Sequence, residues 1–390
     1  MPINIEEIQE IVGKYDTRGL CIGVLGSHSA EEVGIAAKAF GFKTVVVCQR
    51  GREDLYAKYN RYLFDYVIIL DRFADIIEEK VQEELRKLNT IFIPNRSFTV
   101  YVGYKRIEEE FYIPIYGNRF MLKIEERNLP KNQYWLLEKA GVRTPKRFKK
   151  PDDIDRLVIV KVQQKYKPLE RAFFTASSPE EYWRKAGELI KLDVISEEEL
   201  KKAIIEEYVL GPKFNANYQV WAQKEVFGKF DFIGFDDRKQ VNLHGILSLP
   251  AKQQLELNVP IKNEEVGHYG ITMRESKKPL VYRAAEKFIE VCEREYPPGI
   301  IGLFALQGAL AYDPDDSEGK RLEFFVFDVS PRVPGAPCVG PTSPEMRRLT
   351  LKFRRFLNDA SVNVLETAMD LPMLEIWYAS KRKTLERIVT

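Results

Sequence analysis

Several absences narrow what this chain can be. Its four cysteines, Cys21, Cys48, Cys292 and Cys338, are scattered over 390 residues with no C-x-x-C pair. That spacing argues against a disulfide framework or a thiolate zinc site. No apolar run reaches the ~18 residues expected of a membrane-spanning helix. No signal-peptide pattern is seen either, so a cytosolic protein without membrane partners is expected. Net charge is nearly absent: 60 basic residues against 58 acidic ones leave +2. Nucleic-acid binding asks for a clustered basic surface, and the segment KRKTLER near the C-terminus reads as a solvated helix face. Internal repeats and low-complexity segments are also missing.

What is present suits a folded protein of two or three domains, with 45% hydrophobic and 12% aromatic residues. Charged residues reach 30%, mostly Lys, Arg and Glu, a composition that hints at a thermophile.

The stretch CIGVLGSHSAEEVGIAAKAFGF (21–42) opens the structural reading. Residues 20–25 form a short apolar run, expected as a buried strand. Ser29 followed three residues on by Glu32 predicts a capping box at the start of a helix, and Gly41 predicts its end. A second strand is expected at 43–48, which completes a βαβ unit. The turn holding Ser27 and His28 then lies at the carboxyl edge of a parallel sheet, where open α/β folds bind ligands. Two readings of His28 stay open here, an idle residue in a capped turn or a site residue.

The rhythm continues with strands at 65–70, 90–95 and 112–117 and a helix over 73–88, giving an N-terminal Rossmann-like parallel α/β domain over 1–120. The character then changes to α+β. A helix at the start of 131–148 ends at Gly141, and strands are expected at 155–163, from Arg171, and at 203–211. Ser178 is placed as a helix N-cap. Antiparallel strands are expected at 214–223, 229–236 and 241–250, and a helix over 279–294. Strands at 302–312 and 321–333 flank the acidic loop DPDDSEGK, and a helical tail runs from about 344.

Lys161 near a strand end, the Glu206–Glu207 pair, Gln307, and Asp328 with Ser330 and Arg332 are the candidate chemistry of the second half. The period of two puts Asp328, Ser330 and Arg332 on one face of their strand, opposite Phe325, Phe327 and Val329, so this row reads as a polar site wall.

The order LLEKAGVRTPKRF, VIVK, IIEEYVLG, LFALQ, FFVFDVSPRV resembles the ATP-grasp fold, with a small lobe over 121–212 and a C-terminal lobe with helical tail over 213–390. VLGSHSA, IPIYGNR, LPAKQQLELN, MRES and PPGIIGLFALQ extend the resemblance over nearly the whole chain to one family. That family is the archaeal formate-dependent 5-formaminoimidazole-4-carboxamide ribonucleotide synthetases of purine biosynthesis. The resemblance implies an ATP-dependent carbon–nitrogen ligase. Formate is phosphorylated to formyl phosphate, and the 5-amino group of the aminoimidazole carboxamide ribonucleotide then attacks it. It implies Ser27, His28, Ser97 and Asn258 as ribonucleotide contacts. Lys161, Glu206, Glu207 and Gln240 would contact ATP, and Gln307 and Asp328 would hold Mg²⁺ or Mn²⁺ through oxygen. On charge logic, Arg238 and Arg332 join them as catalytic partners of the phosphate or transition state. The implied partners are these small molecules, and a homo-oligomer stays open.

Some positions depart from the family pattern. The phosphate loop VQQKYKPLERAF (162–173) contains no glycine, Asn95-Arg96 replaces His-Gly before Ser97, Asp328 and Gln240 stand for glutamates, and PGAPCVG replaces Gly-Gly-Thr-Asn. Two alternatives to the synthetase therefore stay open: an ATP-grasp ligase for another carboxylate or amine, and a catalytically silent nucleotide-binding homologue that assembles with an active relative. In the enzyme readings Lys165, Lys167 and Arg171 supply by side-chain charge what backbone N–H groups supply in a glycine loop. Replacing Lys165 and Lys167 together by Ala is expected to weaken ATP binding sharply in calorimetric titration; unchanged affinity would remove the idea.

Overall fold

Short apolar runs become the strands of three sheets. The computed structural model describes residues 1–126, 128–163, 171–257, 265–335, 340 and 343–390. The first sheet holds β1 (Cys21–Leu25), β2 (Lys43–Gln49), β3 (Tyr66–Leu70) and β4 (Thr90–Phe92), all parallel in the order β3-β2-β1-β4. Every residue of β1 is buried, as expected for a parallel strand covered on both faces. Ile22 and Val24 point into one core with Val33, Ala36 and Ala37 of the helix Ala30–Ala39. Cys21 and Leu25 point into the other, with Phe92 and Phe98. The first core also takes in Met373, Leu374 and Ile376 of the helix Asp370–Arg382, so the C-terminal tail packs on the N-terminal sheet.

The middle sheet comprises β5 (Arg147–Phe148), β6 (Val158–Gln163), β7 (Arg171–Ala176) and β8 (Ile204–Glu207), antiparallel in the order β5-β8-β6-β7. Val158, Val160, Val162 and Ile205 line its apolar face against Tyr182 and Ala186 of the helix Pro179–Lys191. Alternation sends Lys161 and Glu206 to the opposite face.

The third sheet is antiparallel, in the order β11-β10-β9-β12-β13, with β9 (Lys213–Val220), β10 (Phe230–Gln240), β11 (Glu265–Ile271), β12 (Gly302–Tyr312) and β13 (Leu322–Ser330). The helix Lys278–Glu295 buries Val281, Ala285, Phe288, Ile289 and Cys292 in its core. Each such large apolar side chain contributes roughly 1.5–3 kcal/mol of burial. One buried network ties the sheets together. Gln219 Nε2 donates to Tyr116 Oη (2.8 Å), Tyr116 Oη donates to Glu375 Oε2 (2.7 Å), and Ala222 N donates to Glu375 Oε1 (2.8 Å).

Four expectations need correction. Ser29 does not cap its helix: it sits in the left-handed region at φ 64° and makes no capping bond, while Glu32 is buried. The helix placed over 73–88 breaks at extended Glu78 into a 3-10 turn, Phe73–Ile77, and a helix, Glu79–Lys87. Residues 112–117 make only isolated bridges, Phe92 to Ile115 and Tyr116 to Val389. The stretch 241–250 is a helix, Val241–Leu247, because it leaves the sheet after β10 and buries none of its side chains. Ser178 does cap the helix Pro179–Lys191, accepting from Glu181 N at 3.2 Å.

The strict alternation assigned to residues 325–332 also fails. Gln307 pairs with Asp328 but Gly308 with Val326, so Phe327 is the extra residue of a bulge. Val326 and Val329 therefore share one core, while Phe325 and Phe327 join Val209, Ala309 and Ala311 in a separate small cluster. Gly308 makes this bulge sterically possible, since a Cβ there would lie 2.0 Å from Phe325 O. Gly308→Ala is expected to destabilise the protein by ~1–3 kcal/mol in urea unfolding; a change below ~0.5 kcal/mol would show that the bulge relaxes freely.

Candidate active site

The loop after β1 is held by a residue that sequence reading treated only as a departure. Asn95, fully buried, donates from Nδ2 to Leu25 O (3.0 Å) and His28 O (2.9 Å). Its Oδ1 accepts from Phe98 N (2.9 Å), capping the helix Arg96–Val102 that carries Ser97. One amide thus fixes the Ser27–His28 turn against the start of the Ser97 helix.

Opposite this edge lies the end of the β10–β11 hairpin. Arg238 and His268 are register partners. Glu265 bridges them, with Oε2 at 2.9 Å from Arg238 Nε and Oε1 at 2.9 Å from His268 Nε2. The other ring nitrogen of His268 is 2.5 Å from Oδ2 of Asp236, a carboxylate with no exposed surface. Asp236 also accepts from Asn215 Nδ2 (2.8 Å) and Asn217 Nδ2 (2.6 Å). Gly335 runs between the two histidines: a Cβ there would lie 2.7 Å from His28 Nε2 and 3.3 Å from His268 Nε2.

The two imidazoles are driven apart in charge. Burial, then the nearby Arg332 guanidinium, lowers the His28 pKa to about 4, so it is neutral near pH 7. Burial also opposes charge on His268, but hydrogen bonds to Asp236 and Glu265 outweigh it and raise the pKa to about 9.

Arg332 borders the same space. Glu125 takes Arg332 Nη2 on Oε1 (3.1 Å) and Arg96 Nη1 on Oε2 (2.6 Å), and Tyr104 Oη donates to Glu125 Oε2 at 3.2 Å. Arg332 Nη1 donates to Val333 O at 3.0 Å, while its buried Nε has no partner among the described residues. Gln307 and Asp328 face each other across β12 and β13, and Gln307 Nε2 donates to Ser330 Oγ at 3.0 Å. That bond turns the amide oxygen away from Ser330. An amide oxygen beside a carboxylate is a donor set that fits a hard cation. Among the described residues no three His, Cys, Asp or Glu side chains gather as a metal site, so phosphate oxygens and water would complete the shell.

The middle lobe holds a separate pair. Lys161 Nζ donates to Glu206 Oε1 at 2.8 Å, and Arg147 Nε lies 3.6 Å from Glu206 Oε2. Glu206 borders a cleft of about 680 Å³ shared with Arg143, Lys146, Arg147, Arg321 and Glu323. Glu207 turns the other way, accepting from Lys146 N at 2.9 Å and lying 3.8 Å from Arg156. Gln240 ends β10, where its backbone N–H meets His244 Nδ1 at 3.0 Å. Asn258, Lys165 and Lys167 lie outside the described residues, as does Cys338, and so does the side chain of Arg171.

The structure therefore brings His28, Arg238 and Arg332 around one space and sets Gln307 beside Asp328. Lys161 and Glu206 sit apart as an ion pair. Asp236, His268, Glu265, Glu125 and Asn95 were missed as site residues. The available signal was scarcity: the chain has three histidines, and two of them meet here.

Comparison with known proteins identifies the fold and the family. Residues 181–390 match a family model described as a domain of unknown function (DUF1297), and residues 22–148 one described as a protein of unknown function (DUF1246). Among solved structures, the IMP biosynthesis protein PurP of Thermococcus kodakaraensis is similar with a TM-score of 0.65 and 20% identity, over 95% of this chain and 100% of that one. The ADP complex of N5-carboxyaminoimidazole ribonucleotide synthetase follows at 0.54 and 13%, over 90% and 79%. The fold is that of the ATP-grasp enzymes.

Among curated relatives, the 5-formaminoimidazole-4-carboxamide-1-(beta)-D-ribofuranosyl 5′-monophosphate synthetase of Methanopyrus kandleri is 40% identical over 86% of this chain and 88% of its own. That of Methanocaldococcus jannaschii is 37% identical over 85% and 88%. That of Methanobrevibacter smithii is 32% identical over 100% and 99%. The chain belongs to this synthetase family. Among the described residues no helix is long and apolar enough to cross a membrane.

Because His268 is held protonated, the stabilisation from its clasp is fully present below the ordinary histidine pKa of 6.5 and is lost as pH rises through about 9. His28 acts in the opposite sense: its lowered value removes stability as pH falls from 6.5 toward 4. In histidine-detected NMR one ring is expected to titrate near 4 and another near 9, and Asp236→Asn is expected to lower the second by more than ~1 unit. Two rings titrating near 6.5 would refute this electrostatic account.

Proposed function

We propose that this protein is an ATP-dependent ligase that joins formate to the 5-amino group of 5-aminoimidazole-4-carboxamide ribonucleotide. The observation that carries the reading is family membership at 40% identity across 86% of the chain. The cluster of His28, Arg238, His268 and Arg332 supports it, since it would suit a phosphorylated acceptor.

A formate oxygen attacks the γ-phosphorus of ATP, the bond to the β-phosphate oxygen breaks, and ADP and formyl phosphate result. The amine nitrogen then attacks the formyl carbon, phosphate leaves with the C–O bonding pair, and the nitrogen releases a proton. Lys161 would meet the ATP phosphates, an exchange of its Glu206 partner for a more highly charged one. Val209, Ala309, Phe325 and Phe327 form a small apolar cluster that begins two residues beyond the Glu206–Glu207 pair ending β8, and it would back the base. Gln307 and Asp328 would hold Mg²⁺, which when bound neutralises charge on the phosphoryl oxygens. Buried Arg332, whose Nε–H has no partner among the described residues, would add a fixed positive charge that needs no reorganisation during phosphoryl transfer. His28, Ser27, Ser97 and Asn258 would contact the ribonucleotide, and Gln240 and Arg238 would border ATP and the transferring group. Neutral His28 can exchange a hydrogen bond without adding charge.

The test is chromatographic assay with Mg·ATP, formate and the aminoimidazole ribonucleotide, following ADP and formylated product together. The expected result is one ADP per product. ADP without formylated product would assign another carboxylate or amine, and no turnover together with no ATP binding would overturn the ligase reading.

A further inference from the structure

Glu265 occupies a peculiar place. Its two carboxylate oxygens are divided between two cations, Arg238 Nε and His268 Nε2, each at 2.9 Å. It also lies close enough to His28 for each to influence the other's charge. His268 and Asp236, by contrast, are built in. His268 is 7% exposed and is anchored on its far side by Asp236, which is itself held by Asn215 and Asn217. Glu265 is 33% exposed, and so is its contact with Arg238, whose side chain is 41% exposed. Half-exposed ion pairs contribute little to stability, so this carboxylate can leave its place at small cost, whereas Asp236 cannot.

We propose that Glu265 is a displaceable stand-in for a phosphate group: a phosphate dianion takes its place between Arg238 and His268, beside His28, and Glu265 swings to solvent. Removing Glu265 leaves His268 its Asp236 partner, so the imidazolium persists and Arg238 and His268 together present two donors to the incoming anion. The inference deepens the ligase reading and rests on it for the identity of the ligand. Two sources share the chemistry, the 5′-phosphate of the ribonucleotide and the inorganic phosphate released from the acyl phosphate.

A stand-in and a true ligand contact predict opposite signs. Titration calorimetry of the full-length protein with the aminoimidazole ribonucleotide, its dephosphorylated riboside and inorganic phosphate tests this. For Glu265→Gln, binding of the phosphorylated ligand that uses the site is expected to tighten by about tenfold, the scale of one like-charge contact removed at a half-exposed site. Riboside binding is expected to stay unchanged. Tightening for the ribonucleotide assigns the site to the 5′-phosphate; tightening for inorganic phosphate alone assigns it to the released product. His268→Gln in the Glu265→Gln background is expected to abolish the gain. Glu265→Ala serves as the second variant, and both are checked for an unchanged thermal midpoint. Weaker or equal binding of both phosphates in folded variants, or equal tightening for the riboside, would overturn the inference. Failure of the wild-type protein to bind the ribonucleotide would instead count against the ligase reading, and the inorganic phosphate titration still decides the role of Glu265.

Discussion

Everything in this cleft depends on the fully buried carboxylate of Asp236. A charge taken out of water is tolerated only if it is paired and hydrogen-bonded. Asp236 meets that demand with two asparagine amides on β9 and one imidazole on β11. The consequence runs outward: the carboxylate holds His268 protonated, protonated His268 draws in Glu265, and Glu265 orients Arg238. A neutral residue at 236 would remove the reason for each later step. The same constraint operates at Glu125, whose single carboxylate serves two guanidinium groups, Arg96 of the first domain and Arg332 beyond β13.

Rigid surroundings make such pairing selective. The Tyr116–Glu375–Gln219 network joins the first domain, the C-terminal helix and the third sheet through buried bonds. Asn95 does the same for the turn carrying His28. These polar contacts contribute modestly to net stability, about 1 kcal/mol each. Removing one partner of any of them would be costly, so they specify one arrangement of the parts. The His28 edge and the His268 hairpin come from chain segments more than two hundred residues apart, and their facing geometry needs that specification.

Much of the fold was legible because its signals are local. Apolar runs such as 43–48 and 302–312 are buried strands, and Ser178 caps its helix as its sequence context predicts. Where reading failed, longer-range physics had won. Ser29 and Glu32 match a capping box by spacing, yet Glu32 is buried on the helix Ala30–Ala39 near Asp370, where burial and then neighbouring acids raise its pKa to about 8 and keep its carboxyl protonated near pH 7. The run 241–250 alternates well enough for a strand, but among the described residues no strand pairs with it. The period of two through 325–332 broke at Phe327 because one residue is bulged, which sequence spacing cannot register. In the site, residues with an unusual type at a loop or strand end were legible: His28, Arg332, Gln307. Asp236 and His268 were not, since an Asp inside an aromatic strand and a His in an unremarkable one gain meaning only when the hairpin pairs them.

The pairing of one neutral and one charged imidazole across Gly335 has a chemical logic. Two charged histidines this close would repel and raise the energy of the empty site; two neutral ones would offer no electrostatic attraction to a phosphate. Once Glu265 is displaced as proposed, splitting the states leaves a net positive wall on the hairpin side and an uncharged hydrogen-bonding group on the domain edge. Burial of His28 enforces the split first, and the Arg332 guanidinium adds to it, while the charge of Arg332 is balanced by Glu125. In the proposed reaction the sheet edge would supply the neutral His28 contact, and the antiparallel sheet would supply the charge of Arg238 and His268. That reaction sets an anionic acceptor beside a forming acyl phosphate and needs both, since excess positive charge on the acceptor side would compete for the phosphoryl group that Lys161, Gln307 and Asp328 are proposed to serve.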